Sequence, residues 1–391
     1  MSKKLKVILS TSFVCILCFF SFSFYKIYST LNQVIYNTSR GEVHKSTPKD
    51  YELDYRSIEF HSSVGFLLKG WYIPGQSNDC VVLAPGKGSN RWDVLPYAPF
   101  LHKAGFSVFL FDPQSTGLSE GEKYAFGYFE SRNLLRAVNY LKTHYPIEEI
   151  ALLGLSAGGT ASILAALEEP RISAVIADSP FANLQKAADN YENWFYNWSF
   201  QTIFSFYTFG AEILLGFDVN SKMDLTNKIK DLSQPLFLIH GAKDRIIHPS
   251  NSELLSSLAH HPKRLWLVPE AGHIQSYSRK TATYKNKVLS FLKRHLQGNS
   301  PDSAGNRGSM AKGRQFCQEA AKGYPTSHNV LSAAAKNVCS RDKGKEKMEE
   351  PVQDKAGRKE SIQCLFRLPA PAISSQPHFA AALLRCDRPT P

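Results

Sequence analysis

The pentapeptide Gly154-Leu155-Ser156-Ala157-Gly158 sets a serine between two glycines, after a run of apolar residues and before a stretch of small ones that includes Gly159 and Ala161. A nucleophile elbow needs this context: a sharp turn from strand to helix presents the hydroxyl, and side chains at the flanking positions would clash. The amino end of a helix behind Ser156 also offers positive potential where an oxyanion forms. A serine hydroxyl is a weak nucleophile, so it requires a base oriented by a carboxylate. Downstream, Asp244 ends the segment His240-Gly241-Ala242-Lys243-Asp244, and His273 ends Pro269-Glu270-Ala271-Gly272-His273; each lies just past an apolar run. The order Ser156, Asp244, His273 is that of nucleophile, acid and base in elbow-type sites. Asp178, in Ala177-Asp178-Ser179-Pro180, is the rival acid. His240 is expected to support the Asp244 loop, and His248, His260 and His261 to be surface residues. The oxyanion donors expected are the backbone N–H groups of Ala157 and of Lys87, in Leu83-Ala84-Pro85-Gly86-Lys87-Gly88. The competing reading of the pentapeptide is a structural Gly-Ser turn.

Positioning these residues requires a regular framework, and the sequence supplies one between Tyr51 and His295. The runs Cys80–Ala84, Ser107–Phe111, Glu149–Gly154, Ala174–Ala177, Pro235–His240 and Arg264–Val268 are continuously apolar. Such runs fit strands buried on both faces of a parallel sheet. Between them, Ala98–Ala104, Ser131–His144, Gly158–Glu169 and Ser250–His260 read as helices. The alternation implies a doubly wound, mostly parallel α/β sheet. Residues Tyr55–Pro74 alternate more strictly and carry a turn near Ser62–Gly65, which predicts an antiparallel hairpin at the sheet edge. From Phe181 to Ser233 the rhythm breaks, and Tyr191, Trp194, Phe195, Tyr196, Trp198, Phe200, Phe204, Phe206, Tyr207, Phe209 and Phe217 crowd together. We read 181–233 as a helical cap insertion. Its aromatics fit three roles: a lid over an apolar pocket, ordinary helix–sheet packing, or apposition to a membrane.

The flanks differ from the middle. Of the net charge of +12, residues 1–40 contribute five Lys/Arg and no acid, and residues 299–391 contribute fifteen Lys/Arg against nine acids. Residues 41–298, taken as the globular domain, are therefore nearly neutral, which argues against nucleic-acid binding. Lys3, Lys4 and Lys6 precede an uncharged run, Val7–Tyr25, of 19 residues. That is close to the roughly 20 residues that cross a hydrocarbon core. The expectation is a single-pass signal anchor with the domain on the extracytoplasmic side. The alternative is a cleaved signal peptide and a secreted protein, although no alanine precedes Ala84 to mark a cleavage site. Residues 299–391 lack periodicity and are rich in Gly, Ser, Pro, Ala and Lys, so a disordered tail is expected. Of seven cysteines, only Cys80 falls in the domain; Cys15 and Cys18 lie in the apolar run, and Cys317, Cys339, Cys364 and Cys386 in the tail. No metal or other cofactor is implied.

Taken together, Pro85-Gly86-Lys87 with Arg91, Asp112 with Gly117-Leu118-Ser119-Glu120-Gly121, Gly154–Gly158, Asp178-Ser179-Pro180, His240-Gly241 with Asp244, and Gly272-His273 make residues 55–296 resemble an α/β-hydrolase. The resemblance is to the serine aminopeptidase/lysophospholipase-like branch and its membrane-anchored members. It implies an acyl-enzyme serine hydrolase acting on an ester, thioester or amide; the aromatic insertion and the apolar N-terminal run favour a small apolar acyl compound or an acylated protein as substrate. A serine peptidase and a catalytically silent binding protein are the alternatives. Two positions depart from the family pattern. Pro85-Gly86 stands where His-Gly is usual, and Gln114-Ser115 where Arg-Gly is usual.

Overall fold

The computed structural model describes residues 2–36, 46–187, 197–260 and 262–297. The expected tail with its four cysteines, His261, and Tyr191, Trp194, Phe195 and Tyr196 of the aromatic insertion lie outside these residues.

Eight strands form one sheet: β1 (Arg56–His61), β2 (Leu67–Ile73), β3 (Cys80–Ala84), β4 (Ser107–Phe111), β5 (Ile150–Leu155), β6 (Ile172–Asp178), β7 (Leu236–Gly241) and β8 (Lys263–Val268). Their spatial order is β1-β2-β4-β3-β5-β6-β7-β8. The predicted edge hairpin is β1–β2, and β2 pairs antiparallel with β4 while every later pairing is parallel. This is the α/β-hydrolase arrangement, with a mostly parallel, doubly wound sheet. The six apolar runs became strands because each has residues to bury on both faces. Cys80, Val82 and Ala84 of β3 enter one core cluster, while Val81 and Leu83 enter the other.

Eleven α-helices are described. The first is α1 (Lys3–Ile35), followed by α2 (Arg91–Val94), α3 (Ala98–Lys103), α4 (Tyr128–His144), α5 (Ala157–Glu168) and α6 (Leu184–Ala187). After these come α7 (Asn197–Leu215), α8 (Val219–Met223), α9 (Ser250–Leu258), α10 (Ser276–Arg279) and α11 (Thr281–Leu292). On one face of the sheet α4, α5 and α9 pack with α8 and part of α7; on the other, α2, α3 and α11 do so. The described residues of 181–233 form α6, α7 and α8, joined by turns and irregular segments. Two helices exceed the sequence reading. α11 buries Tyr284, Val288, Phe291 and Leu292, and α1 runs ten residues past Tyr25, burying Leu31 and Ile35.

A polar hub fixes the loops at the carboxyl ends of β3 and β4. The buried carboxylate of Asp112, just past β4, accepts the N–H of Arg91 at 2.9 Å and that of Leu118 at 2.8 Å. Arg91 Nε lies 3.8 Å from the same carboxylate. The guanidinium sits 4.4 Å from the ring of Trp71 and 4.5 Å from that of Trp92, a geometry favourable to a poorly hydrated cation. Burial pushes the Asp112 carboxyl up, and the Arg91 charge opposes that shift. Removing one member leaves the other charged and buried, so Asp112→Ala should cost about 3–5 kcal/mol. Chemical denaturation of the full chain in detergent measures this; a cost below about 1 kcal/mol would show that the hub does not hold these loops.

Candidate active site

β5 ends at Leu155 and α5 begins at Ala157, leaving Ser156 alone to make the turn. It does so at φ 53° and ψ −122°, an unfavourable conformation for a residue with a side chain. The glycines of the pentapeptide permit it. A Cβ at Gly158 would stand 2.3 Å from the carbonyl oxygen of Ala84, and one at Gly154 would stand 2.2 Å from that of Gly158. Both distances are far inside van der Waals contact.

The three predicted chemistry-bearing side chains converge. Ser156 Oγ is 2.9 Å from His273 Nε2, and His273 Nδ1 is 2.7 Å from Asp244 Oδ2. Asp244 has only a carboxylate to offer, so Nδ1 carries the proton and donates it. Nε2 then presents its lone pair to the Ser156 hydroxyl. The other oxygen of Asp244 accepts the backbone N–H groups of Ile246 at 2.9 Å and Ile247 at 3.0 Å. Burial would raise the Asp244 carboxyl, yet hydrogen bonds from His240 and His273, with that of Ile246, hold it well below the usual carboxylate range. It is ionised at neutral pH.

The other candidates fall into place around this relay. His240 is fully buried; its Nε2 donates to the Ile247 carbonyl at 2.9 Å and lies 3.3 Å from Asp244, while Nδ1 accepts from Ser252 Oγ at 2.7 Å. It supports the Asp244 loop. His248 and His260 are exposed. Asp178 ends β6 without a hydrogen bond to His273. Its Oδ1 accepts the hydroxyls of Ser179 at 3.1 Å and Ser276 at 3.3 Å, and Ser179 Oγ accepts the N–H of Ile274 at 3.3 Å. Asp178 thus braces the loop that carries His273. Ser179 stood in the sequence only as part of Asp178-Ser179-Pro180 and Ser276 had no distinguishing mark, because their shared role exists only once β6 and the 272–276 loop meet.

The Pro85–Gly88 loop runs beside Ser156: a Cβ at Gly86 would be 3.2 Å from Ser156 Cβ. Among the described residues, neither the Lys87 nor the Ala157 N–H has an acceptor. The departures from the family pattern are accommodated locally. The Gln114 N–H donates to Asn133 Oδ1 at 2.8 Å, and Asn133 Nδ2 to Gln114 Oε1 at 3.3 Å. Ser115 adopts φ 66° where glycine is usual. A cleft of about 580 Å³ opens beside His273, bordered by Lys243, Arg245, Ile246, Ile274 and Arg279. Ile274 occupies φ 50°, a costly conformation for a β-branched residue next to the proposed base.

Residues 96–299 match the model of the prolyl oligopeptidase family. The chain is 31% identical over 248 residues to the uncharacterised protein YfhR of Escherichia coli K12, covering 60% of this chain and 80% of YfhR. Among solved structures it is similar to the Pyrococcus furiosus esterase Pf2001, at 28% identity and TM-score 0.55, over 66% of this chain and 96% of the esterase. The α/β-hydrolase GrgF of Penicillium, at 21% identity and TM-score 0.51, shares the fold over 63% of this chain and all of GrgF.

Burial raises Asp178 to about 6, the Ser179 and Ser276 hydrogen bonds and the nearby histidines opposing it. The native state therefore holds this proton in a pH range where the unfolded chain has released it. Its contribution to stability is present below the ordinary aspartate value near 3.9 and is lost as pH rises through 6. Asp178→Asn keeps an acceptor for both serines and removes the titration. The variant should gain thermal stability relative to wild type at pH 8 and show a smaller gain at pH 4. A gap in midpoint that does not change with pH would contradict the assignment.

Proposed function

The chain is a hydrolase belonging to the prolyl oligopeptidase family of the α/β-hydrolase superfamily, and on that premise we propose that it cleaves an ester, thioester or amide by a serine acyl-enzyme mechanism. The observation that carries this reading is the unbroken relay from Ser156 through His273 to Asp244, at 2.9 and 2.7 Å. His273 Nε2 removes the Ser156 proton as Oγ attacks the carbonyl carbon. The resulting oxyanion is held by the N–H groups of Lys87 and Ala157, where preorganised donors act most strongly. His273 returns its proton to the leaving group as the tetrahedral adduct collapses to the acyl-enzyme. Water then attacks the acyl carbon, giving its proton to His273, and the carboxylic acid leaves as Ser156 regains its hydrogen. Throughout, ionised Asp244 stabilises the imidazolium and fixes its tautomer.

A carboxylic ester of an apolar acyl group is the favoured substrate, free or on an acylated protein. Similarity to the esterase Pf2001 and the aromatic character of the 181–233 insertion support it; membership of the prolyl oligopeptidase family keeps a peptidase as the second reading. We further propose that α1 is a retained signal anchor. It contains the uncharged run, its apolar side chains from Leu5 to Tyr25 are exposed, and three lysines precede that run. These lysines support an extracytoplasmic hydrolase domain. Burial of Leu31 and Ile35 at the far end of α1 supports retention over cleavage.

Fluorophosphonate labelling of the full chain tests the chemistry. Wild type should label, and Ser156→Ala and His273→Ala should not. Asp244→Asn should slow labelling by roughly 10³–10⁴, the order expected when an imidazole loses its orienting acid. A folded wild type that does not label is a binding protein rather than an enzyme.

A further inference from the structure

α7 carries an apolar face that the hydrolase body does not cover. Phe206, Phe209 and Ile213 are 57%, 61% and 67% exposed. At 100° per residue these three lie within about 60° of one another. The opposite side of the helix is spent on the core, with Ala211 buried and Tyr207 and Leu214 packed against it. The sequence left three roles open for the aromatics, and the structure divides them. Tyr207 packs on the body, as does Phe217, whose ring lies 4.8 Å from that of Tyr128. Phe206 and Phe209 turn outward.

The exposed stripe has a specific neighbour. Leu31 of α1 packs at Gly210, where a Cβ would come within 2.5 Å of its side chain. Gly210 lies about 40° around the helix from Phe206, so α1 runs along the flank of the stripe. α1 has 33 residues and is about 50 Å long, against roughly 30 Å of hydrocarbon. Its surplus length is the end that packs against α7. Phe22, Phe24 and Tyr28, on the approach to that contact, are exposed like the stripe itself.

That same end reaches the active site. The Ile35 carbonyl accepts the N–H of Tyr124 at 2.8 Å, and the Lys87 ammonium lies 5.5 Å over the Tyr124 ring. Lys123 Nζ donates to the Leu214 carbonyl at 2.8 Å and stands 5.4 Å over the ring of Tyr36. Residues 123 and 124 thus clamp the end of α1 to the end of α7 and to the oxyanion loop. An apolar stripe beside a bilayer-length helix is the feature of a surface-seated amphipathic element.

We propose that Phe206, Phe209 and Ile213 seat α7 in the lipid interface beside α1, so that the site takes acyl esters presented by the bilayer. The proposal rests on the readings of α1 as a retained anchor and Ser156 as nucleophile, and its test separates the three. The full chain is reconstituted in phosphatidylcholine vesicles. Phe209→Cys, with every cysteine but buried Cys80 replaced by serine, carries an environment-sensitive fluorophore; Glu59→Cys on the edge strand β1 is the reference. Emission at 209 should shift to the blue and be quenched by nitroxide-bearing lipid, and that at 59 should do neither. Water-like emission at both positions overturns the proposal. Extraction of the chain by alkaline carbonate overturns it together with the anchor. Loss of wild-type fluorophosphonate labelling overturns the catalytic reading.

A second variant reads the consequence. The combined F206S, F209S and I213S substitutions should lower turnover of a vesicle-borne long-chain acyl ester by roughly ten-fold. Turnover of a soluble short-chain ester and fluorophosphonate labelling should stay at wild-type rates. Equal effects on the two esters, whether none or a shared loss, would show that this face does not govern access from lipid.

Discussion

At the elbow, main chains of three segments meet with no side chains between them. Gly158 lies against the carbonyls of Ala84 and Pro85, and Gly154 against that of Gly158. This contact joins the end of β3 to the start of α5, and it holds Ser156 at a positive φ that costs of order 1–3 kcal/mol in isolation. The surrounding sheet meets that cost, because β3 and β5 are buried over their whole length. The same contact brings the Pro85–Gly88 loop beside Ala157. Ser156 and the proposed oxyanion donors are therefore products of one close approach, and a methyl group at either glycine would separate them together.

Two buried aspartates, Asp178 at the end of β6 and Asp244 in the loop after β7, have environments that push them apart. Both are deprived of water, which raises both. Asp244 receives hydrogen bonds from His240, His273 and two backbone N–H groups, enough to reverse the effect. Asp178 accepts two serine hydroxyls and lies near the buried Tyr284 hydroxyl, all neutral partners. Acid and brace are thus distinguished by the number and charge of their partners, not by residue type or strand position. His240 extends the logic one shell outward, since its tautomer is set by the Ile247 carbonyl.

The N-terminal helix is part of the same architecture. Its last turns enter the core that α4, α5 and α7 build on one face of the sheet, and Tyr124 connects that end to Lys87. Through the Tyr124 N–H on the Ile35 carbonyl and the Lys87 ammonium over the Tyr124 ring, the apolar helix and the loop beside Ser156 share one set of contacts. The hub of Asp112, Arg91, Trp71 and Trp92 performs the same service from the opposite side of that loop.

Much of the fold and most of the site were legible in the chain itself. Continuous apolar runs bounded by turn residues located the six parallel strands, since burial on both faces demands that pattern and little else does. Spaced glycines around Ser156, with Asp244 and His273 each just past a strand, identified the relay, because backbone crowding and nucleophile activation restrict those positions to few residue types. The sequence could not separate core aromatics from exposed ones in the insertion. Tyr207 and Phe209 are equivalent until a partner lies on one side of the helix. Nor could it show that Ser179 and Ser276 hold the Asp178 carboxylate, that Ser115 would take a left-handed turn, or that α1 continues past its apolar run to Ile35. Each of these depends on contacts between segments distant in the chain. Local pattern determined which residues could serve; the packing of α1, α7 and the strand-end loops against one another decided what each of them faces.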